Sequence, residues 1–165
     1  MASSDPMDIL LKHDKWATGQ ILHACASLTP EQFHRKFEMG PGSLHNVLLH
    51  MISAQRGWTD ALNGREFRPL MDPNPPRSVD ELVKMHEEIA DEFAATARKF
   101  PVDDTIKRDR GGKVYTFTRG AVITHVTTHG MHHRAQCLNM LRHVGVSPLP
   151  PTSVVEWMRL VDTPQ

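Results

Sequence analysis

Histidines are the residues whose number and spacing in this sequence can do chemistry. The chain of 165 residues has 11 of them, and four stand close together as His125, His129, His132 and His133. Residues four apart on a helix lie one turn above each other, so His129 and His133 would project side by side. Two imidazoles at this spacing can reach one ion, as they do in two-histidine zinc helices. The spacing therefore predicts a metal site.

A third metal ligand is predicted from another helix. His50 lies on the flank of an apolar stripe that includes Val47 and Met51, and from there its ring can reach inward. Three neutral nitrogens would leave one coordination position for water or substrate, as is typical of catalytic rather than structural sites. We predict that His50, His129 and His133 bind one divalent metal ion, Zn²⁺ or another divalent ion such as Ni²⁺.

The other histidines are predicted to have lesser roles. His125 lies one helical turn before His129, so it can replace one of the metal ligands or form a hydrogen bond that orients one of them. His132 should point about 100° away from His133, toward the flank or solvent. We expect His45 to be exposed in a first helical turn, and His86 to belong to a solvated charged face.

Residues outside the histidine cluster give weaker indications of chemistry. Arg134 follows His133 directly and is better explained by a structural ion pair than by binding of an anionic substrate, and Arg56 has the same two interpretations. Cys137 is interpreted as core packing. The sequence indicates no general base, so no catalytic residue is predicted beyond the metal ligands.

Four long helices are predicted to position these side chains. Their apolar residues repeat at helical spacing, and each helix has a recognisable start. The predicted starts are Asp5, Ser43, the capping box of Ser78 and Glu81, and Thr118; the predicted ends lie near Leu28, Gly64, Pro101 and Gly145. Gly111 and Gly112 predict a small hairpin between the third and fourth helices. The sequence thus favours a single all-α domain spanning 1–165, a four-helix bundle with a short C-terminal helix over 153–161.

Composition limits the class of partner. Lys plus Arg and Asp plus Glu are equal at 19 each, so the chain has no overall attraction for nucleic acid. No apolar run approaches the ~18 residues that a membrane-spanning helix needs. The polar start lacks the pattern of a signal peptide, and two cysteines suit a reducing compartment, so we expect a cytoplasmic protein.

The fourth predicted helix also resembles a known family. The run from His125 to Gln136, with its His-x-x-His-His-Arg-x-Gln core, is similar to the fourth-helix signature of the DinB-like (DinB/YfiT) superfamily of metalloenzymes. The stretches 13–17 and 44–58 are similar to that family's first and second helices. Where the family usually has a glycine before the glutamine, this chain has Ala135.

The resemblance implies an up-down-down-up four-helix bundle, commonly a homodimer, with one metal ligand on the second helix and two on the fourth. Those positions are His50, His129 and His133 in this sequence. Relatives include thiol S-transferases and a thiol-dependent isomerase, so the resemblance implies a transferase or isomerase that uses a low-molecular-weight thiol and a small-molecule substrate. A metal-dependent hydrolase and a non-catalytic metal-binding stress-response protein are the alternatives.

Overall fold

The computed structural model describes residues 2–163, which form helices and one antiparallel hairpin. The helices are α1 (Pro6–Cys25), α2 (Pro30–Phe33), α3 (Leu44–Leu62), α4 (Val79–Lys99), α5 (Arg119–His143) and α6 (Val154–Leu160), and the strands are β1 (Thr105–Arg110) and β2 (Lys113–Thr118). In the described part of the chain, no helix has both the length and the apolar character needed to cross a membrane.

Side chains at the N-termini fix where the four long helices begin. Asp5, Ser43, Ser78 and Thr118 each accept a hydrogen bond from the backbone N–H three residues further on. Each bond satisfies an N–H group that has no partner within its helix. All four predicted starts are therefore confirmed.

Three contacts between helix ends establish the direction of the long helices. Asp8 at the start of α1 pairs with Arg98 at the end of α4, so these two helices are antiparallel. The amide of Asn63, just past α3, donates to Thr96 Oγ1 near the end of α4, so α3 and α4 run the same way. Arg119 at the start of α5 donates to the carbonyl of Leu62 at the end of α3. The result is the predicted up-down-down-up bundle.

The predicted hairpin is confirmed between α4 and α5. Gly111 and Gly112 form its turn with φ values of +63° and +82°, a conformation that favours glycine. Ile106 of β1 faces Phe117 of β2 across the pair, and Ile106 is buried against the end of the bundle. The hairpin is thus attached to the helices where α3 ends and α5 begins.

A layer of buried polar residues divides the core. On α1, Asp14 and Thr18 lie between Leu11 of one apolar cluster and Ile21 of the other. On α5, Arg134 lies between Val126 and Cys137 of the same two clusters, and His86 of α4 is buried beside this level. We refer to Asp14, Thr18, His86 and Arg134 as the polar layer.

Candidate metal centre

Three imidazoles from α3 and α5 meet at their Nε2 atoms. The Nε2 atom of His129 lies 3.2 Å from that of His50 and 3.0 Å from that of His133. A tetrahedral ion held at ~2.0 Å by each nitrogen would separate two ligands by about 3.3 Å, so the observed spacing fits one ion. The three residues selected by sequence spacing lie together, and this cluster could hold a metal ion. Their role as ligands stays a prediction.

Gln136 determines which nitrogen of His133 faces the cluster. The Nδ1–H of His133 donates to Gln136 Oε1 at 2.8 Å, so the lone pair is on Nε2. Gly40 packs against the same oxygen with φ +49°, and a Cβ at that position would collide with it. The turn before α3 therefore helps to orient an imidazole on α5.

Burial keeps all three imidazoles in the state that binds a metal. It lowers the pKa of His50, His129 and His133, and the neighbouring rings of His133 and His50 lower the pKa of His129 further, to about 4. Neutral rings present lone pairs rather than protons, as metal ligation requires. The cluster is therefore ready for an ion at neutral pH without having to release protons.

The cluster forms part of the wall of a large cavity. His50 is exposed, His129 is half-buried and His133 is buried, so access is from the His50 side. His50 and His129 line a cavity of about 910 Å³, together with Trp58 of α3, Phe117 of β2 and other residues of α3, α5, the hairpin and the loop after α3. A small molecule can reach the imidazoles from this cavity.

The polar layer supports the cluster from behind. Asp14 Oδ1 accepts from Arg134 Nη1 at 2.5 Å, and both side chains are buried. A Cβ on Gly130, next to His129, would lie 2.5 Å from that carboxylate oxygen and 2.9 Å from Arg134 Nη1. Only glycine leaves room for this ion pair, which confirms the structural interpretation of Arg134.

The outcome for other predicted residues is mixed. Cys137 is fully buried in the core as predicted, and burial raises the pKa of its thiol. Arg56 donates to the carbonyl of Pro69, while its Nε is buried without a hydrogen-bond partner. His132 is exposed, as predicted. His125 packs against the ring of Trp58 at a centroid distance of 5.4 Å and is not part of the three-histidine group.

Two histidine predictions are wrong. His45 is buried rather than exposed, because the chain after α3 folds back over it and the backbone N–H of Arg77 donates to its Nε2 at 3.1 Å. His86 is buried rather than solvated, because α4 turns it toward α1, where its Nε2–H donates to the carbonyl of Lys15 at 3.0 Å. In both cases the partner comes from a distant segment.

Sequence reasoning did not assign roles to Gln136, Gly40 or Asp14. Gln136 lies three residues after His133, a spacing at which helical side chains meet, so this contact had a signal in the sequence. Gly40 and Asp14 act on α5 from other segments, and nothing in the sequence pairs them with it.

Comparison with known proteins gives a consistent result. The DinB family model matches residues 3–159. Among curated proteins, Protein DinB of Bacillus subtilis strain 168 is 24% identical over 153 residues, which cover 86% of this chain and 87% of that protein. A crystal structure of a DinB-like protein from Bacillus cereus ATCC 10987 matches with a TM-score of 0.66 at 17% identity, covering 86% of this chain and 92% of the other. The likeness extends over most of the chain, as the motifs predicted.

Proposed function

The chain belongs to the DinB family, and on that premise we propose that it is a divalent-metal-dependent enzyme that acts with a low-molecular-weight thiol. The reaction class would be thiol S-transfer or a thiol-assisted isomerisation of a small molecule. The observation that supports this proposal is the convergence of three Nε2 atoms at the wall of an accessible cavity.

Each part of the site has a definite task in this proposal. His50, His129 and His133 would hold Zn²⁺ or Ni²⁺ through Nε2, and Gln136 keeps the His133 ring in the required tautomer. When bound, the ion would supply Lewis-acid chemistry that lowers the pKa of a thiol next to it. The rings of the cavity wall would exclude water from the thiol and hold the second substrate.

An accessible site favours catalysis over a purely structural metal. A structural zinc site is closed by four protein ligands. Among the described residues, the group that could hold a metal ion contains three histidines and no fourth ligand. Hydrolysis remains the alternative chemistry for such a site, since water can take the same position as a thiol.

We also propose a cytoplasmic homodimer. Exposed apolar residues on α6 and just beyond it support an interface, namely Val155, Leu160 and Val161, which are 56% to 77% exposed. Size-exclusion chromatography with light scattering measures the assembly state, and a Val155→Glu variant that stays dimeric would place the interface elsewhere.

The first experiment measures the metal content of the purified protein by elemental analysis, beside the variants His50→Ala and His129→Ala. We expect about one equivalent per chain in the wild type and a loss in both variants. His132→Ala is the matched control, because it removes an exposed imidazole from the same helix, and it should keep the metal. Metal retained in both ligand variants, or never bound after reconstitution, would refute the site.

Turnover then separates the rival functions. The loaded protein is incubated with an alkylating fluorophore in the presence and absence of cysteine or glutathione. Metal-dependent product that requires the thiol supports the transferase. Hydrolysis of ester or amide substrates without thiol supports the hydrolase, and unfolding on chelation supports a structural metal.

A further inference from the structure

A second, much smaller cavity lies behind the imidazole cluster, inside the bundle. Its volume is about 20 Å³, which is room for one water molecule. All four long helices contribute to its wall, which includes the polar side chains of Asp14 and Thr18 of α1, Gln55 of α3, His86 of α4 and His129 of α5. The cavity therefore lies between the polar layer and one of the three imidazoles of the cluster.

Gln55 is a buried amide without a hydrogen-bond partner in the described part of the chain. The residue is only 7% exposed. Its backbone carbonyl accepts from Thr59 Oγ1, but its side-chain oxygen and nitrogen bond to none of the described residues. Burying an amide without hydrogen bonds is unfavourable, so a partner for it is expected within the cavity.

Three more polar atoms at this cavity have no hydrogen bond to the residues that the structure describes. Asp14 accepts from Arg134 through Oδ1, which leaves Oδ2 as an acceptor. His86 donates its Nε2–H to the carbonyl of Lys15, so its Nδ1 carries a lone pair. His129 directs Nε2 at the other two imidazoles, and a ring that binds a metal through Nε2 carries its proton on Nδ1.

These groups match the bonding capacity of one water molecule, which donates two hydrogen bonds and accepts two. Asp14 Oδ2 and His86 Nδ1 can accept from it. The amide of Gln55 and the Nδ1–H of His129 can donate to it. A water molecule at this place would satisfy one group from each of the four long helices.

We propose that this cavity binds one ordered water molecule, and that Gln55 acts through it as a positioning residue for His129. The water takes the role at His129 that Gln136 has at His133, because it accepts from Nδ1–H and keeps Nε2 aimed at the ion. Gln55 and Asp14 hold the water in place. The inference rests on the proposed function, since it treats His129 as a metal ligand.

A high-resolution crystal structure of the metal-free wild type tests the water site and needs no variant. We expect one water molecule within about 3.2 Å of the side chains of Gln55, Asp14 and His86. A cavity that holds no ordered water would overturn the inference. So would an amide of Gln55 that bonds directly to Asp14 or His86.

Zinc affinity tests the positioning role. Gln55→Met keeps the length of the side chain and removes its amide, and competition with a chelating dye should show zinc bound about tenfold more weakly than by the wild type. Thr59→Val is the matched control, because it removes a buried hydroxyl one turn further along α3 that does not line the cavity. It should bind zinc like the wild type.

NMR of zinc-loaded protein with ¹⁵N-labelled histidine separates positioning from a general loss of stability. The Nδ1–H of His129 should exchange with solvent about tenfold faster in Gln55→Met than in the wild type. The Nδ1–H of His133, which Gln136 holds, should exchange equally in both proteins. Equal exchange at His129, or equal zinc affinity, would overturn the positioning role.

Failure of this inference and failure of the proposed function give different results. The water molecule in a chain that takes up no zinc would support the water site but refute the metalloenzyme, and with it the positioning role. Zinc bound equally well by the wild type and Gln55→Met would overturn the inference and leave the proposed function intact.

Discussion

At the residue scale, one hydrogen bond fixes the orientation of His133. Its Nδ1–H needs the acceptor that Gln136 provides, and such partners of metal-ligating histidines are typically worth about 10–100-fold in affinity. We predict that Gln136→Leu, which keeps the bulk and removes the acceptor, weakens metal binding by about that factor. Competition with a chelating dye measures it.

His132→Ala is the control for that variant. It removes the other partner of Gln136, the exposed His132 ring at 3.1 Å, while the bond to His133 remains. Its metal affinity should match the wild type. Equal affinities in all three proteins would show that Gln136 has no part in orienting the ligand.

The ion pair of the polar layer gives a prediction about stability. Burial raises the pKa of the Asp14 carboxyl, and the Arg134 guanidinium beside it opposes that rise. We predict that Arg134→Met, by leaving Asp14 buried without its partner, lowers the free energy of unfolding by about 3–5 kcal/mol. Urea denaturation measures the loss. Arg142→Met, at an exposed position on the same helix, should stay within about 0.5 kcal/mol of the wild type. A loss no larger than that in Arg134→Met would contradict the prediction.

At the element scale, Asp60 holds the loop after α3 against the bundle. Its buried carboxylate accepts from Arg65 Nε at 2.7 Å and from the backbone N–H of Arg68 at 3.0 Å. Burial alone would raise the pKa of Asp60, but the hydrogen bonds from Arg68 and Arg65 hold it below its ordinary value. The cavity wall near Phe67 is therefore attached to the bundle through this side chain of α3, and Glu92 of α4 accepts from the same two arginines.

We predict that Asp60→Asn costs about 1–3 kcal/mol of stability and speeds hydrogen exchange at the Arg68 amide. An amide oxygen can keep the bonds that Arg65 and Arg68 donate to Oδ1, but the NH2 group then stands where Oδ2 accepts from the backbone N–H of Arg68. The comparison is Asp72→Asn in the same loop, where the exposed carboxylate accepts from the local N–H of Asn74 and has no other hydrogen bond within the described part of the chain. Identical exchange in the two variants would mean that the loop is held by other contacts.

Elements and their starts were predictable because their signals are local. Ser43 caps α3 through an N–H three residues away, and Thr118 does the same for α5. His129 and His133 could be paired for the same reason, since one helix fixes their spacing. His86 could not be placed, because its burial depends on the carbonyl of Lys15 on another helix. A sequence pattern describes the face of one helix and does not show which neighbour covers it.

At the scale of the whole molecule, buried histidines make the stability of the fold depend on pH. Burial lowers the pKa of His86 below its ordinary value of 6.5, although Asp14 and the hydrogen bond to Lys15 oppose the shift. Below pH 6.5 the unfolded chain binds a proton at this position that the folded chain does not. Acidification therefore favours unfolding. The free energy of unfolding decreases as the pH falls below 6.5, until the pH reaches the lower pKa that His86 has in the folded state.

We predict that the stability difference between the wild type and His86→Phe is constant above pH 7.5 and becomes smaller, or reverses, toward pH 5. The reason is that only the wild type loses the contribution of this imidazole. Chemical denaturation of both proteins in the presence of a chelator measures the difference. A difference that does not change between pH 7.5 and pH 5 would exclude His86 as a source of acid sensitivity.

The attachment of the hairpin has a consequence for how a fold of this kind can diversify. Arg108 and Phe117, which line the cavity, stand on β1 and β2, whereas the three imidazoles stand on α3 and α5. Substitutions on the face of the hairpin that lines the cavity would change which small molecules the cavity accepts. The helices that carry the imidazoles would stay unchanged. Under the proposed function, selectivity and reactivity would thus be encoded in separable stretches of the chain. Transplanting residues 105–118 between relatives is therefore a direct way to exchange ligand preference without rebuilding the bundle.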